Sequence, residues 1–183
     1  MILLISIIIL ALVFDFINGF HDAANSITTI VTTKVLTPFQ AVLWAAFFNF
    51  VAFFISKYII GEFGIANTVS KTVYEQYITL PIILAGVIGA VIWNLLTWWK
   101  GIPSSSSHTL IGGFAGAAIM ANGFQAIQGS VIFKIAAFIL LAPLIGMVIA
   151  FFTSMVVLYV CRKMNHAKAE VWFKHLQLVS SAL

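Results

Sequence analysis

Charge is what this sequence has least of. Only 8% of its 183 residues are charged, against about 25% in soluble globular domains. Hydrophobic residues make up 62%, and mean hydropathy is +1.12. This shortage excludes a water-soluble domain and leaves an all-α integral membrane protein, with the lipid bilayer as its surroundings. The single cysteine, Cys161, excludes an intramolecular disulfide. No basic stretch precedes the first apolar run, and Asp15 lies deep inside it, so the N-terminus reads as a retained span and not a cleaved leader. The net charge of +4 is small and spread out. It bears on membrane orientation and not on nucleic acid. No internal repeat is visible.

What is present is a succession of apolar runs. At about 20 residues per crossing, this length holds about five or six, so residues 1–183 form a single transmembrane domain. Residues 2–33 read as one spanning element broken at Gly19. Residues 38–60 and 80–99 read as spans, and 61–76, with Glu62, Lys71 and Glu75, as a water-exposed loop. Residues 103–122 form a half-helix and its continuation. Residues 131–159 form a long span kinked at Pro143 and Gly146. Asn49 and Asn94 are expected to hydrogen-bond between helices, and Gly112 with Gly116 to form a packing pair.

Five net crossings put the N-terminus outside. Lys34, Lys100 and the basic segment 162–174 then fall on the cytoplasmic side of a plasma (inner) membrane, and Lys57, Lys71 and Lys134 outside. Residues 176–183 start a further element too short to span. An odd number of crossings is what one half of an inverted-repeat transporter would have, its partner being a second repeat or another copy of the chain.

Two polar stretches interrupt the apolar pattern. Residues 101–116 read G-I-P-S-S-S-S-H-T-L-I-G-G-F-A-G. With Pro103 in the first turn of a helix, Ser104–Ser107 would offer hydroxyls and free N–H groups at a helix N-terminus, where an anion is favoured. Such serines can equally be helix caps. Residues 18–34 carry Asp22, Asn25, Ser26 and Thr29 on one helical face. Asp22 is an acid inside a membrane segment, which makes it a functional candidate. His21 and His108 flank these motifs as packed neutral rings or as proton relays. Neither motif holds Lys or Arg. An anion beside an ionised Asp22 would be repelled, so Asp22 is protonated or a cation lies between. Either way, anion movement is coupled to a cation, provided the two motifs meet.

Three stretches, N-G-F-H-D-A-A-N at 18–25, W-N-L-L-T-W-W at 93–99 and G-I-P-S-S-S-S-H-T-L-I-G at 101–112, resemble the inorganic phosphate transporter (PiT) family, and its bacterial branch in particular. The resemblance implies two inverted repeats, of which this chain holds the first. It implies phosphate symport with H⁺ or Na⁺, with metal–phosphate complexes as a variant cargo. It puts Asp22 and Asn25 at the coupling-cation and phosphate site, and Ser104, Ser105, Ser106, Ser107 and Thr109 at the phosphate. His21 and His108 stand beside them as candidates for moving a proton. No cofactor is implied beyond the coupling cation. Asp22 is the candidate ligand for any metal carried with phosphate. A sulfate or other tetrahedral-oxyanion permease of the same fold is the alternative. The remote rival is an intramembrane hydrolase using Ser107, His108 and Asp22. Adjacent Ser and His on a helix point about 100° apart, and no G-x-S-x-G is present, so the chain is expected not to be an enzyme.

Overall fold

The computed structural model describes residues 1–61 and 64–182, apart from the side chains of Ala24, Asn25, Ile65 and His166. Glu62 and the side chain of Asn25 therefore lie outside the described residues. Among the described residues the chain is helical, with no β-strand: α1 (Ile2–Thr32), α2 (Pro38–Ile55, continued by a π-helical turn to Ile60), α3 (Gly64–Ser70), α4 (Leu80–Lys100), α5 (Ser106–Asn122), α6 (Gly129–Cys161) and α7 (His166–Ser180). Four of these, α1, α2 with its extension, α4 and α6, are long and apolar enough to cross a membrane. The 17 residues of α5 rise about 25 Å, short of a hydrocarbon core of about 30 Å, as a half-helix would.

Several element ends follow directly from sequence. Thr-Pro-Phe-Gln at 37–40 starts α2 as a capping box. The Thr37 N–H donates to Gln40 Oε1 at 3.1 Å, and the Gln40 N–H donates to Thr37 Oγ1 at 3.4 Å. Gly101 ends α4 with a left-handed backbone, its N–H donating to the Thr97 and Trp98 carbonyls.

Two features depart from the pattern read off the sequence. The first is α1, which is one continuous helix through Gly19; the broken first helix is not observed. A lone glycine lowers helix preference by only about 1 kcal/mol, whereas a break in lipid would strand several backbone groups at several kcal/mol each. The second is the segment after Gly61. It is not a plain exposed loop. It folds as α3 and a 3₁₀ turn at Glu75–Tyr77, and Thr72 and Val73 within it are fully buried. α6 runs from Gly129 to Cys161 with Pro143 inside it.

The chain divides into two compact units. The first comprises Met1–Ala24 and Phe54–Ile132. Its core joins Val73, Ile82, Phe114, Ala118 and Ala126, and a second cluster joins Phe14 of α1 to Val87 and Ala90 of α4. The α4–α5 contact is backbone-close. A Cβ on Gly86 would stand 2.9 Å from Phe114 Cα, and one on Gly113 would run into the Gly86 carbonyl oxygen. Among the described residues the α4–α5 contact does not use the expected pair Gly112 and Gly116, at which nothing lies within 4 Å of an added Cβ. Further along, the Phe20 and Trp98 rings meet edge-on at 5.2 Å. The second unit comprises Asn25–Phe53 and Phe133–Leu183. In it Thr33 Oγ1 donates to Gln177 Oε1 at 2.9 Å, tying α7 to the segment after α1. Asn49 is exposed there.

Candidate functional site

The site forms at the N-terminus of α5, in the first unit. Pro103 is not in the first helical turn. Gly101 has just closed α4, and Ser105, with an extended backbone, caps α5, so the helix starts at Ser106. The cap is local: Ser105 Oγ accepts from the His108 N–H at 3.5 Å. Ser104 and Thr109 hydroxyls stand 3.3 Å apart, and Thr109 Oγ1 donates to the Ser105 carbonyl at 2.9 Å. These hydroxyls are thus engaged within the turn, with one another or with its backbone. The hydroxyl of Ser106 is not. Ser106 is 8% exposed, and its Oγ is buried without a hydrogen-bond partner.

The helical turn therefore divides the serine run. Ser106 and Ser107 line a cavity of about 910 Å³ together with Asp15 and Asn18 of α1, Ser56, Ser70 and apolar side chains that include Phe14 and Phe114. Ser104, Ser105, His108 and Thr109 line a separate cavity of about 460 Å³ with Trp93 and Gly112. The first combines an acid, the α5 N-terminus and two buried polar atoms without partners, Ser106 Oγ and Asn18 Oδ1. Unsatisfied buried groups of this kind call for an explanation, such as a ligand or an ion. No basic side chain lines it among the described residues. An anion held there would rest on hydroxyls, N–H groups and the helix dipole.

The expected site residues are thus brought together only in part. Asp22 is exposed, seven residues beyond Asp15 on α1, and lines neither cavity. His21 is half-buried, and its Nε2 has no partner. The Asn25 side chain is outside the described residues. Asn94, expected to bond between helices, is fully buried with both amide atoms unpartnered. Among the described residues no group of three or more His, Cys, Asp and Glu side chains comes together.

Comparison with known proteins fixes the family. Residues 18–182 match the model of the phosphate transporter family PHO4. The chain belongs to the phosphate transporter family. Curated relatives carry the name "Probable low-affinity inorganic phosphate transporter". The chain is 44% identical to one from Rhizobium meliloti over 99% of its own length and 53% of the relative's. It is 44% identical to one from Bacillus subtilis over 100% and 54%. A third, from Streptomyces halstedii, is 38% identical over 98% of this chain and 83% of the relative. The chain thus spans about half the length of the first two. No solved structure matches it. A family of transporters leaves the hydrolase reading without support.

Within this phosphate transporter family chain, sequence reasoning passed over Asp15, Asn18 and Ser56 as site residues. The signal was there for two of them. Asp15, Asn18 and Asp22 follow i, i+3, i+7 spacing, but the pattern is visible only once the helix is read as unbroken.

Proposed function

We propose that this chain carries inorganic phosphate across the membrane, coupled to a cation, with phosphate received at Ser106 and Ser107. The observation that supports this most is the cavity that sets the α5 N-terminus and the unpartnered Ser106 Oγ opposite Asp15 and Asn18. Phosphate needs several hydrogen-bond donors, yet must leave again. Hydroxyls and N–H groups carry partial charge and hold the ion less tightly than Lys or Arg would in a low-dielectric site. Asp15 would repel the anion unless a cation, H⁺ or Na⁺, enters with it, which makes transport coupled. Asp22 and His21 follow Asn18 on α1, with Asn25 next in the sequence motif, and His108 lines the cavity on the other side of the α5 start. The reading includes a second, inverted repeat, on a continuing or a partner chain. It also includes an inner-membrane setting with 162–174 cytoplasmic, the N-terminus lying outside where α5 and the segment before it complete a fifth crossing beside the four long helices.

The test is radiolabelled phosphate uptake into proteoliposomes, with sodium, pH gradient and divalent metal varied separately and sulfate as competitor. Uptake that follows one cation gradient and resists excess sulfate is expected. Uptake independent of every cation, or abolished by equimolar sulfate, overturns the reading.

A further inference from the structure

We propose that α7 and the basic residues leading into it form a docking surface for anionic phospholipid headgroups, held by Arg162, Lys163 and Lys168. The surface lies in the second unit, away from the cavities at the start of α5, and does not depend on what the chain transports.

Length is the first constraint. α7 has 15 residues and rises about 22 Å, short of a hydrocarbon core of about 30 Å. It is not among the helices fit to span. Yet Val171, Trp172, Leu176 and Val179 on it are each more than half exposed, and they fall within about 140° of the helix circumference. Such a face on a helix that does not span meets either lipid or a partner. Two tethers decide between them. At its N-terminus α7 follows the long span α6 after only residues 162–165. Near its C-terminus Gln177 Oε1 accepts from Thr33 Oγ1 at 2.9 Å, and Thr33 directly follows α1. Both α1 and α6 are long and apolar enough to cross a membrane. A helix tied to the ends of two spans lies along the boundary between lipid and water, at the level of the headgroups.

Charge then selects the lipid. Arg162, Lys163, Lys168 and Lys174 stand in this segment against one acid, Glu170, and Lys174 holds that acid at 2.8 Å. Arg162, Lys163 and Lys168 are exposed and have no carboxylate partner among the described residues. Arg162 lies over the Tyr159 ring at 4.5 Å, a cation on an aromatic ring at the end of a span, where such rings meet headgroups. Lys168, Trp172, His175 and Val179 follow i, i+4, i+7, i+11 spacing and share one face of α7. On that face the Lys168 stem can lie along its apolar neighbours while its ammonium stays among the headgroups. Phospholipid phosphates supply the negative charge that the protein does not. An acidic soluble protein would match the charge, but it would have to displace the lipid that the two tethers set beside α7.

The experiment is tryptophan fluorescence of the full chain in mixed vesicles of phosphatidylcholine and phosphatidylglycerol, with one lipid or the other brominated as a quencher. The difference between wild type and Trp172→Phe isolates the signal of Trp172. At equal mole fraction, brominated phosphatidylglycerol should quench Trp172 more than brominated phosphatidylcholine. Each of Arg162→Gln, Lys163→Gln and Lys168→Gln should lower the relative affinity for phosphatidylglycerol about fivefold. Lys174→Gln, whose charge is already paired, should change it little, and Lys168→Arg should preserve it. Sodium chloride at about 1 M should remove the preference by screening, whereas inorganic phosphate at constant ionic strength should not. Equal quenching by the two lipids overturns the proposal, and so does no quenching of Trp172 by either. A preference that survives loss of all three basic residues, with unchanged circular dichroism, also overturns it; where that triple variant does not fold, an unchanged preference in Lys168→Gln does the same. A preference abolished by inorganic phosphate at constant ionic strength overturns it too, and marks a site for free anions.

Discussion

Gly113 and Gly116 lie one turn apart on α5, and replacing each with alanine should have opposite effects. At Gly116 a new Cβ meets nothing within 4 Å. There the change only removes glycine's excess backbone entropy and should stabilise by about 0.5–1 kcal/mol. At Gly113 the same Cβ runs into the Gly86 carbonyl oxygen and stands 3.4 Å from the Ala90 nitrogen. Both are backbone atoms of α4, so no side chain can turn aside. Overpacking of this kind costs about 1–3 kcal/mol, and a rigid neighbour puts it toward the upper end. The helix-propensity gain is common to both variants, so they should differ by about 2 kcal/mol or more, roughly a 30-fold change in the folded-to-unfolded ratio. Denaturation of the purified chain by SDS in mixed micelles, followed by far-UV circular dichroism, measures this. Equal midpoints for Gly113→Ala and Gly116→Ala, or a more stable Gly113→Ala, would refute the backbone contact between α4 and α5. That contact positions Ser106, so Gly113→Ala should also disturb ligand binding where Gly116→Ala does not.

Three further outcomes are expected. Asn94→Leu replaces a fully buried, unpartnered amide with an apolar group of similar size and should leave stability unchanged or raise it by about 1 kcal/mol; a thermal melt showing a loss above that would reveal a partner for the amide. Ser105→Ala removes the cap on α5 and should cost about 0.5–1 kcal/mol of stability while leaving the half-saturation for phosphate uptake unchanged. Lys174→Gln breaks an exposed pair with Glu170 at 2.8 Å and should shift the melting midpoint by an amount equivalent to less than about 0.5 kcal/mol.

The spans, the helix start at Thr37 and the stop at Gly101 are legible in the sequence because each rests on local chemistry: apolar length, a Thr-x-x-Gln box and a glycine with left-handed backbone. The residues of the site are legible by type and not by grouping. Gly19 suggests a break because propensity is a local property, while continuity of α1 is imposed by the surrounding lipid. Four consecutive serines give no sign of where capping ends and the helix begins, and that boundary, at Ser105, sends Ser104 and Ser105 to one cavity and Ser106 and Ser107 to another. Thr72 and Val73 look like loop residues beside Lys71 and Glu75, and only the fold shows them buried. Tertiary contacts decide these points, and local sequence does not record them.

Phosphate at Ser106 and Ser107 is the central claim, and single Ser→Ala variants at 104, 105, 106 and 107 test it most directly by the half-saturation concentration for phosphate uptake at saturating cation. The account predicts that Ser106→Ala and Ser107→Ala raise it roughly tenfold to a hundredfold, the range for losing a hydrogen bond to an ion, with Ser104→Ala and Ser105→Ala near wild type. Unchanged half-saturation in Ser106→Ala and Ser107→Ala, in well-folded protein, would contradict it.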